Sequence, residues 1–569
     1  MKTKIFINRA ATVAVIISLG VGGVAGGRND SGHPSDTSSV IRTTPPAPVF
    51  TDEERVAELR ARRARVAEKI GTGALLVLFS AEPRVYTNDV DYEFRQENNL
   101  FYLTNLAQQG ATLVLLPGNT TTREILFLPR RNPARETWTG HMYSAEEARR
   151  ISGVGEIWDA REFEPFMRAM RTRRAYRPQA EAILLSTTPT PQTTPTPPTT
   201  TQSTPTTTQS TPTPASTTPT PAQSAQTPAS PTGFETLFAA MEKGEGQLYL
   251  LLPGAENSRE YRQEQEFASN WVRAASGLNV RSAWNIFAEM RMRKSASELL
   301  LMQHAIDISI EGHERAQAAA ASASWEYEVE AEIDYTYKRR NADNWGYPNI
   351  VGCGPNGTTL HYVESQGRVR AGDLLLIDAG AEYGHYSADV TRTFPVGGKF
   401  TKEQTEVYSV VLAAQEAGFR AVRPGANLSD VHNAALEVVK DGLLKLGLIT
   451  GKNTEQYRIW FMHGTSHYLG MNVHDVSVRG AKLDAGMVFT VEPGIYVRTD
   501  ALDNLPKTPE NEKFIAAVSA AFEKYKGIGV RIEDDVVVTA GGYRNMSAAL
   551  PRTISDIENF IARARQQAR

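Results

Sequence analysis

The feature that most narrows the fold is a recurrence in the second half of the chain. A Ser-x-x-Glu pattern at Ser295–Glu298 opens the helical run LLLMQHAIDISIEGHERA, and a Thr-x-x-Gln pattern at Thr401–Gln404 opens EVYSVVLAAQEAGFRAV. Both are capping-box signatures, in which the first side chain and the residue three on satisfy each other's free amides. A second helical run follows each: EYEVEAEIDYTYKRR in one case, LSDVHNAALEVVKDGLLKLG in the other. Apolar strands come next in both. Two helices then strands therefore recur at an interval of roughly 105 residues. This predicts an α+β domain with an internal pseudo-twofold repeat, and a site where the halves meet.

The strands show what such a site would contain. LLLIDAGAEYGHYSADVTRTFP reads as a hairpin, with Leu374–Ile377 buried and Val390–Phe394 β-branched and aromatic. A turn centred between Tyr383 and Gly384 sets Asp378 opposite Asp389, with Cβ atoms roughly 4.5–5.5 Å apart. Facing carboxylates beside an apolar run need a shared proton or a cation. The competing reading is a slipped turn that leaves one of them in solvent. The second half supplies FMHGTSHYLGMNVHD, FTVEPGIYV and VRIEDD, hence His463, His467, His474, Glu492 and Glu533. Glu492 and Glu533 read as carboxylates inside apolar strands, a costly placement unless they are paired or coordinate a metal.

The rest of the chain sets limits. Its 569 residues allow more than one domain, and a net charge of −3 gives no global attraction to nucleic acid or anionic membrane. With Cys353 as the single cysteine there is no intramolecular disulfide and no cysteine-rich zinc site. Lys2, Lys4 and Arg9 precede an apolar stretch from Ala10 to Val24 and then small residues, the layout of a signal peptide over 1–25. Export to the periplasm or medium follows, with no membrane attachment after processing. Residues 26–49 are polar and Ser/Thr/Pro-rich, which predicts an unstructured linker. From about 50 to 287 helices and strands alternate, which predicts an α/β domain with a mixed sheet. Within it, 186–232 is almost wholly Thr, Pro, Ser, Gln and Ala. Strand-like AILL and LYLLL on either side mark this insert as an overgrown loop of one domain.

Together, LHYVESQGRVRAGDLLLIDAGAEYGHYSADVTRTFPVGGKFT, FMHGTSHYLGMNVHDV, VEPGIYV and GIGVRIEDDVVVT resemble the pita-bread metallopeptidases, and within them the Xaa-Pro aminopeptidases (aminopeptidase P). The resemblance runs from about Phe50 to Arg565 apart from the insert. It implies a creatinase-like α/β domain over 50–287 and a pita-bread catalytic domain over 288–569. It also implies two divalent metal ions, with manganese favoured, held by Asp378, Asp389, His467, Glu492 and Glu533. Asp389 and Glu533 would bridge the ions, whose shells Asp378 would complete on one side and His467 and Glu492 on the other. A bridging water, made acidic by the ions, would attack the carbonyl. Glu492 would shuttle the proton, His474 would stabilise the oxyanion, and His361 and His463 would face the substrate. Tyr496 and Arg531 would support the site through hydrogen bonds. The implied substrates are peptides with proline in second position, and the implied assembly is a homo-oligomer, dimer or tetramer. A prolidase restricted to dipeptides and a non-catalytic peptide-binding relative are the alternatives.

Overall fold

The structure is a computed structural model that describes residues 39–186, 233–253, 261–272 and 276–567. The signal segment and the insert, Ser186 excepted, lie outside the described residues. The described chain forms two units, one over 51–284 and one over 285–567 joined by 39–50. No helix among the described residues is long and apolar enough to cross a membrane.

The first unit opens with α1 (Asp52–Ile70), capped by a box in which Thr51 Oγ1 accepts from the Glu54 amide at 3.1 Å and Glu54 Oε2 from the Thr51 amide at 2.9 Å. Besides a short pair, Val85–Thr87 with Val90–Asp91, seven strands follow: β1 (Ala74–Phe79), β2 (Thr112–Leu115), β3 (Glu124–Leu128), β4 (Ile157–Asp159), β5 (Ile183–Leu185), β6 (Gly246–Leu250) and β7 (Leu278–Ser282). These seven form one mixed sheet in the order β5-β4-β3-β2-β1-β6-β7. β1, β6 and β7 run parallel, as do β3 and β4, and the remaining pairs are antiparallel. The strands on either side of the insert share a sheet, as expected. They are not neighbours, however: β5 is at one edge and β6 lies beyond β1. Phe127, Trp158, Phe166, Leu248 and Trp271 centre this unit's core.

In the second unit both capping boxes form. Ser295 opens α2 (Ala296–Ala319) and Thr401 opens α4 (Lys402–Ala421), with α3 (Glu326–Arg339) and α5 (Leu428–Leu446) following them. Of the stretch 26–49 read as an unstructured linker, 39–49 is described; it carries no helix or strand but is tied to α2. The Arg42 amide donates to Glu314 Oε2 at 2.5 Å and the Thr44 amide to Glu311 Oε2 at 2.8 Å. Two carboxylates of α2 thus satisfy backbone donors that composition alone leaves unassigned.

The strands of this unit are β8 (Ile350–Cys353), β9 (Leu374–Asp378), β10 (Ala381–Tyr383), β11 (Tyr386–Ser387), β12 (Thr391–Pro395), β13 (Val488–Val491), β14 (Gly494–Tyr496), β15 (Gly529–Arg531), β16 (Asp534–Thr539) and β17 (Gly542–Asn545). They make the sets β8-β9-β12, β13-β16-β17 and β14-β15, while β10 pairs with β11 and with Asn344–Trp345. The hairpin register corrects the sequence expectation. Tyr383 pairs with Tyr386 and Asp378 with Thr391, so Asp389 is not the residue opposite Asp378. The turn is Gly384-His385, both with positive φ (60° and 69°), as a two-residue turn between right-twisted strands requires. The slip is two residues, so Asp378 and Asp389 stay on one face.

Candidate metal centre

Each of the four acidic side chains stands where a strand stops. Asp378 is the last residue of β9, Asp389 falls between β11 and β12, Glu492 between β13 and β14, and Glu533 between β15 and β16. The sequence reading placed Glu492 and Glu533 inside continuous strands; the strands are broken at both. After Asp378 the hairpin legs close tightly, with Ala379 N to Val390 O at 3.1 Å and Ala388 N to Ala381 O at 2.9 Å. A Cβ on Gly380 would lie 1.9 Å from the Ala388 carbonyl, so only glycine fits this approach. The halves meet here: the Glu533 amide donates to Thr391 O at 3.1 Å, and Thr391 Oγ1 donates to Glu533 Oε2 at 2.7 Å. Asp535 Oδ2 accepts the Asp389 amide at 3.0 Å.

One ligand atom each from Asp389, His467 and Glu533 lies within 4.8 Å of the others. His467 Nδ1 is 3.2 Å from the Tyr468 carbonyl, which can only accept, so Nδ1 carries the proton. Nε2 points into the cluster, 3.2 Å from Asp389 Oδ2 and 3.4 Å from Glu492 Oε1, and is the nitrogen that a cation would take in place of its proton. On the far side, Tyr347 places its hydroxyl 2.5 Å from Asp378 Oδ1 and 2.6 Å from Asp389 Oδ1. One phenolic proton is shared between two carboxylates.

A relay of donors runs behind the cluster. Arg531 Nη2 donates to Asp378 Oδ2 at 2.5 Å and Nη1 to Tyr496 Oη at 2.8 Å, and Tyr496 Oη is 2.8 Å from His463 Nε2. His463 Nδ1 faces the Gly464 carbonyl at 2.7 Å, so its Nε2 accepts from Tyr496. The His474 ring meets that of His467 edge-on, centroids 4.3 Å apart. His361 is exposed on the loop after β8.

The charges do not balance within the protein. Asp378, Asp389, Glu492 and Glu533 share one arginine and one imidazole. Burial, then repulsion from Asp389, Glu492 and Asp378, pushes Glu533 well above the usual carboxylate range. Burial, followed by the Asp389 charge, lifts Glu492 to about 7. Burial alone would lower His467, yet its bond to Asp389 and the Glu492 charge carry it to about 9. Burial and then the Arg531 charge hold His463 down at about 3. The surplus negative charge and the hard, oxygen-rich donors fit divalent cations. The structure thus brings together nine of the ten residues read from the sequence, with His361 at the margin. Tyr347, Thr391 and Asp535 were not foreseen. Nothing in GYPN distinguishes a site tyrosine from a packed one, and Thr391 reads as an ordinary strand residue.

A buried carboxylate–imidazole cluster on a two-part α+β unit defines a metallohydrolase type of centre. Residues 300–540 match the model of metallopeptidase family M24, and 59–176 that of the aminopeptidase P N-terminal domain. The chain is 31% identical over 520 residues to a Xaa-Pro aminopeptidase of Escherichia coli (strain K12), covering 90% of this chain and 98% of that one. It is 29% identical over 506 residues to Xaa-Pro aminopeptidase 3 of Homo sapiens, covering 87% of this chain and 82% of that one. Among solved structures, aminopeptidase P from E. coli with the inhibitor Pro-Leu superposes with a TM-score of 0.68 at 28% identity, covering 91% of this chain and all of that one. Proline aminopeptidase P II from Yersinia pestis gives 0.67 at 28%, covering 90% of this chain and all of that one. The chain belongs to the Xaa-Pro aminopeptidases of metallopeptidase family M24. Its second unit is the pita-bread domain of that family, its first the α/β domain that precedes it, and its centre is one for divalent metal ions.

Proposed function

We propose that the protein hydrolyses the Xaa-Pro bond at the N-terminus of peptides, with Asp378, Asp389, His467, Glu492 and Glu533 as ligands of two divalent ions. The observation that carries this is the convergence of Asp389, His467 and Glu533 within 4.8 Å. Asp389 turns Oδ1 toward the Asp378 side and Oδ2 toward His467, so it would offer an oxygen to each part of the donor set. The ions supply the Lewis acidity that activates a water and polarises the scissile carbonyl. The protein's own groups do the rest. Glu492, 3.4 Å from His467 through Oε1, takes a proton from the water and returns it to the leaving proline nitrogen. His474 donates to the developing oxyanion. Arg531 and Tyr496 lock the ring of His463, which with His361 faces the peptide. The proline nitrogen has no N–H, so a peptidase that must grip that N–H handles this bond poorly. A donor set of four carboxylates and one imidazole favours Mn²⁺.

Assays with matched Xaa-Pro dipeptides and Xaa-Pro tripeptides test the reading. Release of the first residue from the tripeptide is expected; turnover of dipeptides alone would make the protein a prolidase. The relatives' names do not favour that alternative. We extend the proposal to a dimer or tetramer, on family likeness alone, and to export, on the charged and apolar pattern of residues 1–25. Mass spectrometry should find a mature N-terminus after about Ala25 outside the cytoplasm; an intact Met1 in a cytosolic fraction would reject export.

A further inference from the structure

We infer that Glu326 is a positioning residue for substrate recognition, holding the loop 354–367 and so aiming His361. The inference rests on the functional reading above, in which His361 faces the peptide. Glu326 is the first residue of α3 and is fully buried. Among the described residues no lysine or arginine pairs with it. Its charge is met by four neutral or backbone donors instead. Oε1 accepts from the Cys353 amide at 2.6 Å and from Asn356 Nδ2 at 2.9 Å. Oε2 accepts from Tyr362 Oη at 2.8 Å and from the Gly367 amide at 2.6 Å. These donors come from the end of β8, the 3-10 turn after it, the middle of the loop and its far end. One carboxylate therefore ties the whole loop to one helix terminus, where the helix dipole also favours a negative charge.

The rest of the loop is built around this anchor. The Glu326 amide donates back to Gly367 O at 3.0 Å. A Cβ on Gly367 would come within 2.6 and 2.7 Å of the two carboxylate oxygens, so glycine is needed there. The Arg368 guanidinium lies over the Trp325 ring at 3.7 Å. Leu360 and Tyr362 pack against Ile350, Leu376 and Tyr496, and Tyr496 is the residue bonded to His463 and Arg531. His361, between Leu360 and Tyr362, is left exposed. A buried carboxylate with four donors is costly to disturb, because losing it leaves the donors unsatisfied. Neither metal binding nor proton transfer uses it.

Glu326→Gln keeps the shape but turns an NH₂ group toward two donors. With an Xaa-Pro tripeptide, KM should rise about tenfold, with kcat within about threefold and metal content unchanged. In a His361→Ala background the same substitution should change kcat/KM by less than about twofold. A multiplicative loss on top of His361→Ala, or an unchanged KM in the single variant, would overturn the inference. Amide hydrogen exchange supplies a readout independent of turnover. The 354–367 segment should exchange at least about tenfold faster in the variant, with 374–395 unchanged; unaltered protection of the loop would also overturn it. If Glu326→Gln does not fold, Tyr362→Phe removes one of the four donors, keeps the ring packing and enters the same cycle. Should the wild-type enzyme not cleave Xaa-Pro peptides, the functional reading falls, and the exchange measurement still decides the role of Glu326.

Discussion

At the scale of single residues, the centre depends on carboxylates placed where strands end. A residue inside a ladder has its direction set by the pleat; one at a break is free to turn toward a common point. Asp389 carries the most connections: its amide goes to Asp535, Oδ1 to Tyr347 and Oδ2 to His467. Asp389→Asn keeps its size and removes the charge. Outer partners of metal ligands are worth about 10–100-fold in activity or affinity, so a residue proposed as a ligand itself should be worth more. kcat/KM should fall by at least about 100-fold, with lower bound metal; full activity with unchanged metal content would remove Asp389 from the centre. The charged residues of this site were legible in the sequence, because a carboxylate beside an apolar run is conspicuous. Their pairing was not. A turn centre misjudged by one residue shifts every partner by two, and only the period of two kept both aspartates on one face. Tyr347 could not be found, since a phenol beside proline carries no signal of its own.

At the scale of elements, the capping boxes at Ser295 and Thr401 were the clearest signals, and both helices begin where the boxes place them. The strand breaks were missed, because the apolar residues flanking Glu492 and flanking the Glu533-Asp534-Asp535 run read as one continuous strand each. The Thr/Pro insert leaves β5 at the sheet edge and returns at Gly233, whose carbonyl takes the Thr120 amide at 3.3 Å. Thr120 lies between β2 and β3, two to three strands from β5. The ends are therefore separated by roughly 10–15 Å at the usual strand spacing. A two-residue turn would not bridge that gap, whereas about six Gly/Ser residues would. Shortening a flexible loop changes closure entropy by only about 0.6 kcal/mol per halving. Replacing Ser186–Thr232 with such a linker should leave kcat/KM on an Xaa-Pro tripeptide within about threefold and Tm nearly unchanged. Unfolding, or loss of turnover with metal retained, would make the insert an integral part of the first unit or of a subunit interface.

At the scale of the whole molecule, each unit has its own apolar core, and every proposed ligand lies in the second. The first unit could be read from the sequence as an α/β domain, but its strand order could not, since β6 inserts beside β1 after a long excursion. The M24 family gives the centre its divalent ions, and the surplus of buried carboxylates gives the reason that a cation would stabilise this unit. The most direct test is turnover of an Xaa-Pro tripeptide, with an Xaa-Ala peptide as control, by metal-depleted protein and by the same protein after Mn²⁺ is restored. Release of the first residue from the Xaa-Pro peptide should vanish on depletion and return with about two equivalents of Mn²⁺ per chain, while the Xaa-Ala peptide stays intact. Turnover that survives complete metal removal, or restored protein that cleaves both peptides equally, would contradict a metal-dependent Xaa-Pro aminopeptidase.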